Sequence, residues 1–147
     1  MRVSGLILAI LICAALLVSG VSAMNVEKST GYTVNPATNL RLPLVITPLI
    51  TGGITQGQTV WQTKVVSSGT TTMFVDLNWG NNANSLTLTV FAPDGTLGPY
   101  YDSSDGITNG RIYLMISKSP SLTPGTWSFR IYGDRITGTQ NYSFAAN

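Results

Sequence analysis

Asp102 and Asp105, three positions apart with Ser103 and Ser104 between them and Gly106 after, are the residues of this chain best spaced for chemistry. The loop from Tyr100 to Gly106 places two carboxylates, two hydroxyls and several carbonyls together, the hard oxygen donors that calcium takes. Its spacing departs from the EF-hand pattern, which needs a longer run of alternating ligands closed by glutamate. A turn held by its own Asp side chains accounts for the same residues. Calcium at Asp102 and Asp105 is thus one expectation, the self-bonded turn is the other, and no further cofactor is expected.

Other chemistry runs short of residue types. There is no histidine, and Cys13 is the sole cysteine, so a Ser-His-Asp triad and a His-ligated zinc are excluded. No G-x-S-x-G elbow occurs, and no glycine-rich loop leads into a lysine as a phosphate cradle requires. Glycoside hydrolysis needs paired carboxylates, but Asp94 and Asp134 lie in apparent turns and Asp76 on the outward side of a strand. No catalytic residue is expected and the chain is not read as an enzyme, with a hydrolase accessory or cryptic hydrolase as the remote alternative. A binding surface is the remaining option: Phe74, Phe91, Tyr113, Met115, Arg130 and Tyr132 all fall where strand alternation leaves side chains outside. Such residues stack on sugar rings or pack on another protein when they share a sheet. Ordinary cross-strand pairing on a solvated sheet is the alternative.

The elements that would position these residues are strands. Gly125 to Asp134 alternates Trp127, Phe129 and Ile131 with Ser128, Arg130 and Tyr132, the period-2 pattern of a strand with one buried face. Thr72 to Trp79 repeats it with Met73, Val75, Leu77 and Trp79, Ser85 to Ala92 with Leu86, Leu88 and Val90, and Arg111 to Ser117 with Ile112, Leu114 and Ile116. Thr59 to Val66 is assigned Trp61, Thr63 and Val65 on one face. Asn141 to Phe144 forms a last strand and Ile46 to Ile54 an early one, with turn residues such as Pro93-Asp94-Gly95 and Asn109-Gly110 between them. This predicts an all-β fold, an antiparallel two-sheet β-sandwich.

The N-terminus reads differently. Arg2, the apolar run from Leu6 to Val18 and the small residues Val21-Ser22-Ala23 match a secretory signal, so residues 1–23 are expected to be cleaved. An uncleaved anchor is the rival, and it alone would bring in a membrane. Cys13 belongs to that run, which leaves residues 24–147 without thiol or disulfide. Residues 24–44 read as a polar arm or linker and 45–147 as the sandwich. With eight basic and six acidic residues and no basic cluster, nucleic acid is not expected as a partner.

In order along the chain, Gly57-Gln58-Thr59-Val60-Trp61, then Val75-Asp76-Leu77-Asn78-Trp79, then Leu86 to Val90 running into Phe91-Ala92-Pro93-Asp94-Gly95, then Gly125-Thr126-Trp127-Ser128-Phe129-Arg130-Ile131-Tyr132-Gly133 with Tyr142, resemble the bacterial and archaeal pre-peptidase C-terminal domain. The resemblance runs from about Ile50 to Phe144. It implies a jelly-roll-like sandwich, used elsewhere as a non-catalytic appendage of secreted enzymes. Members that bind calcium do so through an acidic linker before the first strand, where this chain has only Glu27. No catalytic domain is expected beside the sandwich, so a stand-alone module is expected. It would be secreted or at the cell surface, bound to an extracellular protein or polysaccharide, or to copies of itself as a structural component.

Overall fold

The computed structural model describes residues 27–37 and 49–147. The leader assigned to residues 1–23 lies outside the described residues, as do residues 38–48. The strands are β1 (Glu27–Ser29), β2 (Tyr32–Pro36), β3 (Ile50–Thr55), β4 (Thr59–Val66), β5 (Thr72–Asn78), β6 (Ser85–Ala92), β7 (Gly95–Tyr100), β8 (Arg111–Ser117), β9 (Gly125–Arg135) and β10 (Thr139–Ala146). They form a six-stranded sheet in the order β1-β2-β8-β5-β10-β3 and a four-stranded sheet in the order β4-β9-β6-β7. Every pairing is antiparallel. The protein is an all-β, two-sheet sandwich.

Period-2 alternation dictates how the sheets face each other. Met73, Val75 and Leu77 of β5 and Ile112, Leu114 and Ile116 of β8 turn inward from one sheet, and Leu86, Leu88, Val90, Trp127, Phe129 and Ile131 of β6 and β9 from the other. Aromatic contacts join the layers: Phe129 meets Phe144 at 5.1 Å and Tyr32 meets Trp127 edge-on at 5.4 Å. Burying each such side chain stabilises the fold by about 1.5–3 kcal/mol. From β3 onward the chain passes between the sheets at every connection except the β6–β7 hairpin, so strands adjacent in sequence mostly lie in opposite layers.

One of these crossings fixes a glycine. Gly133 of β9 exchanges hydrogen bonds with the β3–β4 turn, its carbonyl accepting from Gly57 N at 2.8 Å and its N–H donating to Gln58 O at 3.0 Å. A Cβ there would stand 2.3 Å from the Thr55 carbonyl oxygen. Polar groups inside the sandwich are matched in the same way. Gln140 accepts from Asn84 Nδ2 at 2.8 Å and donates to the Trp79 carbonyl at 3.0 Å, while the Trp79 indole donates to Asn81 and Asn84 carbonyls.

Three sequence expectations change. Residues 24–44, expected as an arm, contribute β1 and β2, and Tyr32 and Val34 belong to the core. Five residues flanked by polar neighbours carry too weak a period to show it, and β2 is held by its ladder with β8. Strand β7 follows Pro93-Asp94-Gly95 where the sequence shows no strand pattern, because Gly95, Gly98 and Pro99 mask its alternation. Trp61, Thr63 and Val65, assigned to a face with the core residues, point outward, and Val60 and Val66 pack against or within the core instead. Both faces of this segment hold apolar residues, and a one-residue change of register inverts them.

Candidate functional site

The paired carboxylates lie in the loop between β7 and β8. Asp102–Asp105 forms a single 3-10 turn closed by Gly106 in the left-handed region. Both side chains turn inward, toward backbone N–H groups. Asp102 accepts from Asn109, Gly110 and Arg111 at 3.0–3.2 Å, and Asp105 from Ile107 and Tyr113 at 3.1 and 3.0 Å. Burial pushes the Asp105 carboxyl up, against those bonds, which pull it down. The arrangement holds the entry to β8, with the Asp105–Ile107 bond local to the turn and the Asp102 bonds reaching on to residues 109–111. Among the described residues no group of three acidic, His or Cys side chains is placed to hold a metal ion, and the carboxylate oxygens that calcium would use face N–H donors. Gly110, at φ +77°, leaves room for Asn81, whose N would lie 2.5 Å from a Cβ.

The six outward residues do not share one surface. Phe74, Tyr113 and Met115 lie on the outer face of the six-stranded sheet, and Phe91, Arg130 and Tyr132 on the outer face of the four-stranded sheet. On the first face the groups are matched internally. Arg111 lies over the Tyr113 ring at 4.4 Å and grips Asp76 through two bonds, Nε–Oδ1 at 2.8 Å and Nη2–Oδ2 at 2.7 Å. Those bonds raise the guanidinium's affinity for its proton. Phe74 sits 6.4 Å from Tyr113 and opposite Met115. This is cross-strand packing of the ordinary kind.

The second face is built otherwise. Trp61 stands opposite Arg130, which stands opposite Thr89, so β4, β9 and β6 contribute one row. Phe91 and Ser128 form the row on one side, Thr59, Tyr132 and Thr87 the row on the other. The Trp61 ring lies 5.3 Å from Phe91 at a tilt of 45°, and the Arg130 guanidinium 5.9 Å from the same ring. Arg130 donates to the Thr89 hydroxyl at 3.2 Å. Trp61 is 53% exposed and Val65 71%, so β4 presents its largest apolar side chains to solvent. A sequence signal for this did exist: Gln62 and Lys64 alternate with Trp61, and on an edge strand their stems lie against the rim of the core while their ends reach water. That signal is legible only once β4 is known to be an edge.

No protein-family model matches the chain. A curated relative, an uncharacterized protein of Archaeoglobus fulgidus, is 49% identical over 43 residues, covering 29% of this chain and 59% of that protein. The chain thus spans somewhat over half of that relative's length.

One polar cluster was not anticipated. Asp94, in the β6–β7 turn, accepts from Tyr32 Oη at 2.5 Å, from Lys118 Nζ at 2.5 Å and from Thr123 Oγ1 at 2.7 Å, and Lys118 lies 4.2 Å from the Tyr32 ring centroid. Beside it runs an open groove of about 740 Å³ lined by Thr33, Thr72, Ser117 and Lys118. Burial alone would raise the Asp94 carboxyl, but the bonds from Lys118, Tyr32 and Thr123 outweigh it and hold the group well below the usual carboxylate range. Hydrogen bonding to Asp94 moves Lys118 upward, and burial moves the Tyr32 phenol upward. The cluster ties a turn of one sheet to β2 and the end of β8 in the other.

Proposed function

We propose that this protein is a non-catalytic binding module, secreted or cell-surface, that attaches to an extracellular polysaccharide through the outer face of its four-stranded sheet. The single observation that carries this is the half-exposed Trp61, tilted against Phe91 in a row with Arg130. Aromatic rings fixed on a rigid sheet present flat apolar faces to the axial C–H faces of sugars at little entropic cost. The leader-like residues 1–23 support the location, and the resemblance to the pre-peptidase C-terminal domain supports an attachment role. Binding to insoluble polysaccharides, measured by co-sedimentation, tests it: Trp61→Ala and the pair Phe91→Ser with Tyr132→Ser abolish binding while the thermal midpoint stays near that of the parent. Retained binding in both variants contradicts the assignment.

A second reading rests on a different observation. β4 is an eight-residue edge strand whose outward residues Trp61 and Val65 are the most exposed of its apolar side chains. An antiparallel pair of β4 strands from two copies, centred on Thr63, sets Trp61 opposite Val65 twice. Aromatic with β-branched pairs are favoured in that geometry, and the result is self-association.

A further inference from the structure

We infer that the glycan bound at this face is an acidic one, whose sugar carboxylates pair with Arg130; this rests on the reading of the face as a polysaccharide platform. Two ion pairs are present among the described residues, Arg111 with Asp76 and Lys118 with Asp94, and both lie away from this face. Asp102 and Asp105 are committed to backbone N–H groups. Asp134 is four positions from Arg130 along β9, roughly 13 Å at strand spacing, and accepts from Ser85. Among the described residues no carboxylate pairs with Arg130, whose outward neighbours are Trp61, Phe91, Tyr132, Ser128, Thr59 and Thr63, with Thr87 and Thr89 buried and Asp134 farther along β9.

The guanidinium is also prepared for a partner. It carries five N–H donors, and among the described residues the one bond it makes runs from Nη2 to the Thr89 hydroxyl. Its Nε is shielded from solvent with no acceptor, so part of its hydration is already lost before a ligand arrives. Thr89 and the Phe91 ring restrain its orientation, which lowers the ordering cost of pairing. Because Trp61 is its direct cross-strand partner, a pyranose stacked on the indole places a carboxylate on its ring within reach of Nη1 and Nη2. A planar carboxylate meets that fork in two parallel bonds.

The test compares polygalacturonate and alginate with the same polymers after chemical reduction of their carboxyl groups to alcohols, using the purified protein, Arg130→Gln and Trp61→Ala. The parent is expected to bind the acidic polymers and to lose about ten- to hundredfold in affinity on the reduced ones, the scale of charge-assisted hydrogen bonds. Arg130→Gln should bind both forms equally weakly, and salt should weaken only the parent's binding to the acidic form. Equal binding of acidic and reduced polymers, with Trp61→Ala still abolishing both, overturns the acidic-glycan inference and leaves the platform. Binding of polyglutamate as tight as that of the glycans also overturns it, since charge alone would then suffice. Failure of the parent to bind acidic, reduced or neutral polysaccharides removes the platform as well.

Discussion

Asp102 accepts three successive backbone N–H groups at the entry to β8, the Gly110 bond buried and the Asn109 and Arg111 bonds part-buried, and Asp102→Ala leaves them without that acceptor. The expected cost is about 1–3 kcal/mol, read from denaturant unfolding at neutral pH. Calcium added to the parent is expected to leave the thermal midpoint unchanged, because the carboxylates already face donors; a rise of several degrees would restore Asp102 and Asp105 as ligands. Trp61 and Trp127 separate in the same assay. Trp127→Ala removes a fully buried ring and costs about 3–5 kcal/mol, whereas Trp61→Ala, on the outer face, changes stability by far less. From the sequence, Trp127 was readable as core because its strand has one clearly apolar face. Trp61 was not, because Thr59–Val66 carries comparable apolar residues on both faces and only its pairing with β9 fixes the choice.

Strand β4 is the element on which both the proposed polysaccharide binding and the proposed self-association depend. A charge placed on its outward row, Val65→Lys, is expected to abolish concentration-dependent assembly, since the pairing centred on Thr63 sets Val65 against Trp61 of the other copy. Sedimentation velocity across a hundredfold range of concentration checks this, and assembly that persists in Val65→Lys excludes the β4 edge. The strands with one apolar face, β5, β6, β8 and β9, were legible from alternation alone. β2 and β7 were not, because the first is short and polar-flanked and the second is interrupted by Gly98 and Pro99, so their strand form depends on partners far along the chain. Phe91, Arg130 and Tyr132 were legible singly as outward-facing but not as a group: they meet on one sheet while Phe74, Tyr113 and Met115 lie on the other, and strand order is a property of the whole fold.

At the scale of the molecule, the Asp94 cluster joins the two sheets at one end of the sandwich. A carboxyl held below its unfolded value contributes stability that is present above the unfolded pKa and lost as pH falls toward the folded one. The parent is therefore expected to exceed Asp94→Asn in stability from neutral pH down to about pH 4, near the unfolded carboxyl's own titration, with the difference closing in stronger acid. Thermal midpoints of the two proteins across that range measure it, and a difference independent of pH would remove the ionic contribution of Asp94. The same architecture leaves one sheet face electrostatically matched by Arg111 and Asp76 and the other carrying Trp61 with an Arg130 that has no ion-pair partner among the described residues, so the proposed ligand binding should be one-sided. Titration of the isotope-labelled protein with a bound oligosaccharide, followed by amide and indole chemical shifts, tests that most directly. Shifts are expected at the Trp61 indole and along Thr89, Phe91, Arg130 and Tyr132, with Phe74, Tyr113 and Met115 unmoved; shifts confined to those three residues would contradict it.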